Sequence, residues 1–245
     1  MENSYEPNLI PFYGYPHQLK TEEMKKADTA FIAYMVDKFH SRQEAAKACA
    51  CWAWEYFNKD DYNTAMKRFN EVWLLDTNSF ESYWGFGLIA SAKCEPIDDI
   101  LKYLVGAHDR SPENFIKQCN IDCAIAYHKS FQYKTITDSL KKSILKTEIL
   151  SCFNKYDVDS VNFGFYTSYA DAYYNLNETN LALMQVDRAV KTGLNKIEGD
   201  SLKAQILDRR IDFPCKNWKQ PQARGKKIEM WLNTSVNSPM DTIGS

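Results

Sequence analysis

Cys119, Cys123 and His128 are the residues whose types could bind a metal ion, because thiolate and neutral imidazole are the usual zinc ligands. The two cysteines are four residues apart, and the histidine follows five residues later. The chain has no C-x-x-C pair, and a fourth ligand at a zinc-like spacing is missing. Cysteine is also among the most buried residue types in ordinary cores. We therefore predict neither a metal site nor a cofactor.

Acid–base chemistry has one compact candidate, the run His108, Asp109 and Arg110. A helix C-terminus explains the run equally well, because His and Arg there oppose the negative end of the helix dipole. The sequence contains no G-x-x-x-x-G-K-[ST], G-x-G-x-x-G, G-x-S-x-G or H-E-x-x-H motif. We predict no catalytic residue and no enzymatic activity. The alternative is an enzyme whose site is assembled across helices and leaves no local motif.

An acidic turn, Asn58 to Asp61, separates two apolar helical patterns. Calcium would need a longer run of spaced oxygen ligands with a glycine, which does not follow here. Asn and Asp favour turns because they bond their own backbone, and Asp61 can cap the next helix. We interpret this turn as a hinge between two helices.

The composition and net charge of the chain exclude some classes of partner. The 30 basic and 32 acidic residues give a formal net charge of −2, which creates no general attraction to nucleic acid or to an anionic membrane. No apolar run reaches the 18 residues or so that suggest a membrane span. The N-terminus lacks the pattern of a signal peptide, and the seven cysteines read as buried thiols, so we expect a cytoplasmic protein.

The C-terminal tail, 213–245, is locally basic and contains a possible short helix, "KKIEMWL". Five basic residues lie there, together with Trp218 and Trp231. Nucleic-acid binding uses such residues, but a solvated terminal segment has the same composition. We expect no nucleic-acid partner, and binding through this tail remains the second alternative function.

Apolar residues recur at three and four positions along most of the chain, and glycine and proline fall mainly between these segments. Ser41 with Glu44 forms a capping-box pattern, Ser79 can cap the third helix of the series that begins at Arg42, and Ser111 precedes a proline at a helix start. The spacing predicts an all-α fold. The expected helices are 21–39, 42–57, 62–75, 80–92, 97–108, 112–131, 136–155, 160–175, 178–192 and 197–211.

A repeat runs through these helices. Ala53 and Tyr56 precede the acidic turn and Ala65 and Phe69 follow it, and Gly87 comes 34 residues after Ala53. Small residues let two antiparallel helices approach closely, while aromatic residues fill the ends of the contact. The pattern resembles the tetratricopeptide repeat family over about Gln43 to Gly193, in two good and two degenerate units.

The chain departs from the family pattern in two places. Thr77 stands where a repeat-ending proline is usual, and the 46 residues from Ala124 to Ala170 exceed one period. The resemblance implies antiparallel helix pairs stacked as a short right-handed solenoid. We expect one repeat domain over 21–212, preceded by an extended arm of prolines and aromatic residues within 1–20 that needs a surface to lie on.

The resemblance also implies a function, because the family binds ligands in the concave groove lined by the first helix of each pair. The lysine and asparagine clamp for a terminal carboxylate is absent at the matching places, so we predict an apolar peptide or helix of a partner protein as the ligand. The protein would be an adaptor, a chaperone or a toxin-neutralising inhibitor. Trp54 and Trp84 could instead be covered by the chain's own termini. The predicted partner-binding residues are Ala50, Trp54, Phe57, Trp84, Leu88, Ile121, Ile125, His128, Asp171 and Tyr174.

Overall fold

The computed structural model describes residues 7–16, 20–111, 114–156 and 161–208. Those residues contain ten α-helices and no β-strand, which confirms the predicted all-α class. The helices are α1 (Glu22–Phe39), α2 (Arg42–Asn58), α3 (Tyr62–Leu75), α4 (Phe80–Ala92), α5 (Ile97–Arg110), α6 (Phe115–Thr135), α7 (Ser139–Asn154), α8 (Phe163–Asn175), α9 (Thr179–Lys191) and α10 (Lys196–Leu207). Each observed helix corresponds to one predicted from the spacing.

Polar side chains determine where several helices begin. Ser41 accepts a hydrogen bond from the backbone N–H of Glu44 at 3.1 Å, and Asp61 accepts one from Thr64 at 3.0 Å, which confirms both predicted caps. The carboxylate of Glu44 pairs with Lys47 and does not complete a capping box. Ser79 occupies the N-cap position of α4 but makes no side-chain cap bond.

The helix α6 begins three residues later than the spacing predicts. Its N-cap is Asn114, whose Oδ1 accepts from the backbone N–H of Lys117 at 3.0 Å. The prediction that Ser111 caps this helix is therefore wrong. Asparagine is as good a cap as serine, and Asn114 lies directly before the apolar pattern. The proline predicted at the first helical position, Pro112, lies outside the described residues.

The chain divides into two compact units. Unit 1 comprises Met1–Glu95 with Lys102–Arg110, and unit 2 comprises Pro96–Leu101 with Ser111–Ser245. Within each unit, helices adjacent in sequence pack as pairs: α2 with α3 in unit 1, and α6 with α7 and α8 with α9 in unit 2. Helices two apart in sequence also pack together, α2 on α4 in unit 1 and α6 on α8 in unit 2, as in a helical repeat.

The pair α2 and α3 in unit 1 is antiparallel. Arg42, at the start of α2, donates hydrogen bonds to the carbonyl oxygens of Leu75 at 3.0 Å and Leu74 at 2.9 Å, at the end of α3. Ala53 and Ala65, the small residues of the repeat pattern, are fully buried. Small side chains let the two helix backbones approach, so the predicted reason for these residue types holds in this pair.

Unit 2 is built on the same plan. Along α6 and α7, Lys129 pairs with Glu148 at 2.7 Å and Asp122 pairs with Lys155, so the start of one helix faces the end of the other. The core between α7 and α8 contains a stack in which the rings of Phe153 and Tyr169 are parallel, with centroids 4.1 Å apart. The apolar side chains of α7 and α8 form one contiguous cluster with those of α6 and α9.

No helix in the part of the chain that the structure covers could span a bilayer. The longest, α6, has 21 residues, but it includes Lys117, Asp122, Lys129 and Lys134. A spanning helix needs about 20 residues that are predominantly apolar. The predicted basic tail, 213–245, lies outside the described residues.

Candidate partner-binding surfaces

The predicted groove residues of unit 1 are mostly core residues. Ala50, Phe57, Trp84 and Leu88 are all buried, with Trp84 only 4% exposed and Leu88 fully enclosed. Trp54 alone among the five is partly exposed. A tryptophan at the right repeat position does not reveal whether neighbouring helices cover it, which is why the sequence could not separate Trp54 from Trp84. The accessible part of the predicted groove in this unit is therefore small.

Trp54 is fixed in position by its neighbours. Its Nε1 donates a hydrogen bond to Glu81 Oε2 at 2.9 Å, which joins α2 to α4. The indole ring packs edge-on against Phe69, with centroids 4.8 Å apart, and against Phe57 at 5.6 Å. A large ring held in one orientation loses little conformational freedom on binding. Trp54 thus has the properties of an anchor for a partner.

The surroundings of Trp54 are acidic. Cys51 and Glu55 are exposed on the same helix, α2. The pKa of the Cys51 thiol is raised by partial burial and by the negative charges of Glu81 and Glu55, which shows that both carboxylates lie near it. We call these four residues, Cys51, Trp54, Glu55 and Glu81, the Trp54 surface. Its charge favours an apolar segment that also carries a basic residue.

The predicted groove residues of unit 2 are also largely enclosed. Ile121, Ile125, His128 and Asp171 are buried, whereas Tyr174 is partly exposed. The ring nitrogen Nδ1 of His128 lies 2.8 Å from the carbonyl oxygen of Ala124, one turn earlier in α6. Burial lowers the pKa of His128 to about 4, so the ring is neutral near pH 7. The contact with Ala124 is typical of a satisfied core histidine.

Tyr174 lies beside a cation, because Lys134 Nζ is 5.0 Å from the centroid of its ring. The same ammonium is 5.5 Å from the ring of Phe131. Cation–π contacts of this kind contribute about 0.5–1 kcal/mol at exposed sites. Of the ten predicted residues, then, the structure leaves Trp54 and Tyr174 with accessible rings. A role of either in binding stays a prediction.

The N-terminal arm, residues 7–16, lies on a surface of unit 1 whose residues the sequence did not identify. The arm is compact where we expected an extended chain: Pro7–Leu9 and Pro11–Gly14 form two 3-10 turns. The expected surface exists and is made chiefly by α3. We call this the arm site.

Asn70 binds the backbone of the arm. The side chain is fully buried, and its Nδ2 donates to the carbonyl oxygens of Asn8 at 3.0 Å and Ile10 at 2.8 Å. Its Oδ1 accepts from the backbone N–H of Tyr13 at 3.3 Å. The signal in the sequence was a polar residue four positions after the apolar Met66, on the face of α3 that should be buried.

Phe12 fills a cage of aromatic rings. The centroid distances are 4.9 Å to Phe86, 5.2 Å to Tyr83, 5.4 Å to Trp73 and 5.9 Å to Tyr103. Phe12 and Tyr13 have φ values of 59° and 54°, in the left-handed region that costs a non-glycine residue about 1–2 kcal/mol. The cage and Asn70 must offset this cost, so the arm site binds its segment firmly enough to hold an unfavourable backbone.

The side chain of Tyr13, a residue of the arm, is surrounded by charged groups. Lys20 Nζ is 4.0 Å from the centroid of the Tyr13 ring, and the same ammonium forms an ion pair with Asp28. The pKa of Tyr13 is raised by burial and by the charges of Glu71 and Asp28. The phenol is therefore neutral at any physiological pH.

The acidic side chains of Asp122, Asp60 and Asp61 have structural roles. Asp122 is buried and accepts from the Tyr156 hydroxyl while pairing with Lys155. Burial and Asp122 raise the pKa of Tyr156. Asp61 caps α3, and Asp60 accepts from the Tyr62 hydroxyl at 2.6 Å, as the hinge interpretation of the turn expects.

The polar run at the end of α5 also has a structural explanation. His108, Asp109 and Arg110 are the last residues of that helix, which confirms their predicted place. Arg110 donates to the carbonyl oxygen of Gly106 at 3.0 Å, and its guanidinium carbon is 4.0 Å from the Tyr83 ring centroid. The arginine thus satisfies a carbonyl in the last turn and covers an aromatic ring.

The cysteines do not all follow the prediction of buried thiols. Cys49, Cys119 and Cys123 are buried free thiols, but Cys51 is exposed and Cys94 is disulfide-bonded. The pKa of Cys123 is raised by burial and by its neighbour Cys119, which disfavours the thiolate that binds metals. In the residues whose positions are known, no three His, Cys, Asp or Glu side chains are placed to hold a metal ion.

Comparison of the chain with protein-family models, with curated proteins and with solved structures finds no match in any of the three.

Proposed function

We propose that this chain is a non-enzymatic helical-repeat protein that binds an apolar peptide or helix of a partner protein. The adjacent helix pairs, with buried Ala53 and Ala65 at their contact, support the resemblance to tetratricopeptide repeats. A fold of this kind supports many functions, so the argument has to rest on a site.

The observation that carries the proposal is the Trp54 surface. Trp54 lies on α2, is hydrogen-bonded to Glu81 on α4, and remains partly exposed. A few residues contribute most of the binding energy of a protein interface, and tryptophan is enriched among them. The nearby carboxylates of Glu55 and Glu81 extend the prediction: the bound segment carries a basic residue next to its apolar anchor.

The proposed location is the cytoplasm, and the five free cysteines support it. The disulfide at Cys94 is a feature of oxidising compartments. Fractionation of the native cells decides between the cytoplasm and an oxidising compartment. The redox state of Cys94 is determined in the same fractions by alkylation and mass spectrometry. Recovery of the chain in the cytosolic fraction is the expected result.

Affinity capture with matched variants tests the proposed function. The tagged wild-type chain, Trp54→Ala and Tyr34→Ala are each incubated with native extract, and the retained proteins are quantified by mass spectrometry. Tyr34 is the control because its ring is 62% exposed on α1. We expect one partner whose yield falls about tenfold with Trp54→Ala, equivalent to about 1.4 kcal/mol, and is unchanged with Tyr34→Ala.

A second variant separates binding from folding. Glu55→Lys reverses an exposed charge on the Trp54 surface, so it should leave the melting temperature unchanged and still weaken capture of a basic segment. Capture of every partner to the same extent by all four proteins would overturn the proposal, and would direct attention to catalytic or nucleic-acid-binding alternatives.

A further inference from the structure

The arm site has the composition of a ligand-binding site. The single buried side chain of Asn70 makes three hydrogen bonds with backbone atoms of the arm, donating two and accepting one. Backbone groups are present in any peptide, so Asn70 recognises a chain conformation and does not require a particular sequence. Specificity comes from the aromatic cage, which admits one ring.

The cage is assembled from three helices. Trp73 lies on α3, Tyr83 and Phe86 on α4, and Tyr103 on α5, and all four rings are within 6 Å of the Phe12 centroid. Phe86 is fully buried, whereas the other three are partly exposed around the Phe12 ring. Every wall of the cage is thus supplied by a helix.

Two cationic side chains, Arg110 and Lys102, lie beside aromatic rings of the cage. The guanidinium carbon of Arg110 is 4.0 Å from the Tyr83 centroid, and Lys102 Nζ is 5.9 Å from that of Tyr103. Neither forms an ion pair with any residue whose position the structure gives, and the Nε of Arg110 is buried without a hydrogen-bond acceptor there. Residues 7–16 contain no acidic side chain that could use these charges.

We propose that the arm site is a peptide-binding site for a partner segment that carries one aromatic residue with acidic residues beside it, and that residues 7–16 are its resident intramolecular ligand. The arm supplies the ring and the backbone groups but not the negative charge. A partner segment that supplies all three displaces it. This site uses residues other than the Trp54 surface, so either proposal can fail while the other stands.

The binding test uses a fluorescein-labelled peptide with the sequence of residues 7–16, PNLIPFYGYP, and full-length chains. The acceptor is Phe12→Ala, which removes the ring that fills the cage in cis. We expect saturable binding, at least tenfold tighter than to the wild-type chain, because a tethered arm competes at an effective concentration of about 1 mM. A peptide with Phe12→Ala should not bind.

Matched changes test each part of the proposed recognition. In the acceptor, adding Asn70→Ala should weaken binding at least tenfold, whereas adding Asn63→Ala, an exposed asparagine on the same helix, should not. In the peptide, Tyr15→Glu should bind more tightly than Tyr15→Lys, because Tyr15 is 57% exposed and only the sign of the charge differs. Raising the salt concentration should reduce that difference.

Three results would overturn the proposal: equal peptide binding to wild-type and Phe12→Ala chains, no effect of Asn70→Ala, or no binding to an acceptor whose circular dichroism shows a folded chain. If Phe12→Ala does not fold, Phe12→Leu serves as the acceptor with the same expectations. The wild-type chain could also form a concentration-dependent dimer that Phe12→Ala abolishes. That result would identify the arm of a second copy as the occupant of the arm site, and would overturn the proposal.

Discussion

The ring of Phe69 occupies the space that a side chain at position 85 would need: a Cβ atom built on Gly85 would lie 2.4 Å from the Phe69 Cε2 and Cζ atoms. Phe69 cannot easily move, because its ring is fully buried and contacts Trp54 at 4.8 Å and Phe86 at 6.4 Å. The close approach of α3 and α4 therefore depends on the missing side chain.

Gly85→Ala should destabilise the protein. Overpacking costs about 1–3 kcal/mol, and the better helix propensity of alanine offsets about 1 kcal/mol. We expect a net loss of up to about 2 kcal/mol in the free energy of unfolding, measured by urea denaturation. Phe69→Leu makes room, so in the double variant the two losses should be clearly less than additive. Strict additivity would contradict the contact.

Asn70→Ala should release the arm and lower stability. The substitution removes one hydrogen-bond partner from three backbone groups and leaves them to find water, at a cost of about 1–3 kcal/mol. Asn63→Ala on the same helix is the control, and as a surface change it should stay within about 0.5 kcal/mol of the wild type. Limited proteolysis should cut within residues 7–16 faster in Asn70→Ala. Equal rates in the two variants would show that Asn70 does not hold the arm.

Stability should fall between pH 6.5 and pH 4 because of His128. Its pKa is lowered to about 4 in the folded protein, so the unfolded chain, with an ordinary value of 6.5, binds the proton first. The stabilisation is complete above pH 6.5 and is lost as the pH falls towards 4. Between pH 7.5 and pH 5 the loss from this residue is about 2 kcal/mol.

The comparison that isolates this effect is between the wild type and His128→Gln, unfolded in urea at both pH values. The variant is expected to be less stable at pH 7.5 and to lose about 2 kcal/mol less on acidification. Other groups titrate equally in both proteins and cancel. The same loss in both would mean that His128 is not buried in its neutral form.

The acidic turn should respond to substitution as a helix cap. Asp61→Ala removes the acceptor for the Thr64 N–H and should cost about 0.5–2 kcal/mol. Asp61→Asn keeps an acceptor of the same shape, so it should cost only a few tenths of a kcal/mol. Thermal unfolding with and without added calcium provides the check. A melting temperature that calcium raises in the wild type but not in Asp61→Asn would restore the metal interpretation.

Local features of the helices were predictable because their causes are local. The caps at Ser41 and Asp61 and the small residues at Ala53 and Ala65 act within a few residues or one helix pair. Helix order and approximate bounds follow from such signals. The misplaced start of α6 arose because two good cap residues, Ser111 and Asn114, stand close together in the sequence, and Asn114 is the one that accepts the cap hydrogen bond.

The exposure of the site residues could not be predicted in the same way. Trp54 and Trp84 are both tryptophans at predicted groove-lining positions, yet only Trp54 is partly exposed. The difference depends on which other elements surround each ring, and that is a property of the tertiary structure. The arm site was missed for the same reason, since Asn70 and Asn8 are 62 residues apart.

The separation between Asn8 and Asn70 affects the order of events during synthesis. The arm leaves the ribosome first, but its partners on α3 do not exist until 62 further residues have been made, and those on α5 come later still. At about 5–20 residues per second, this delay is roughly 3–12 s. Throughout that time Phe12, Tyr13 and Tyr15 have no cage to enter. The nascent chain therefore exposes the three aromatic residues of the arm to chaperones before the helices that later enclose Phe12 have formed.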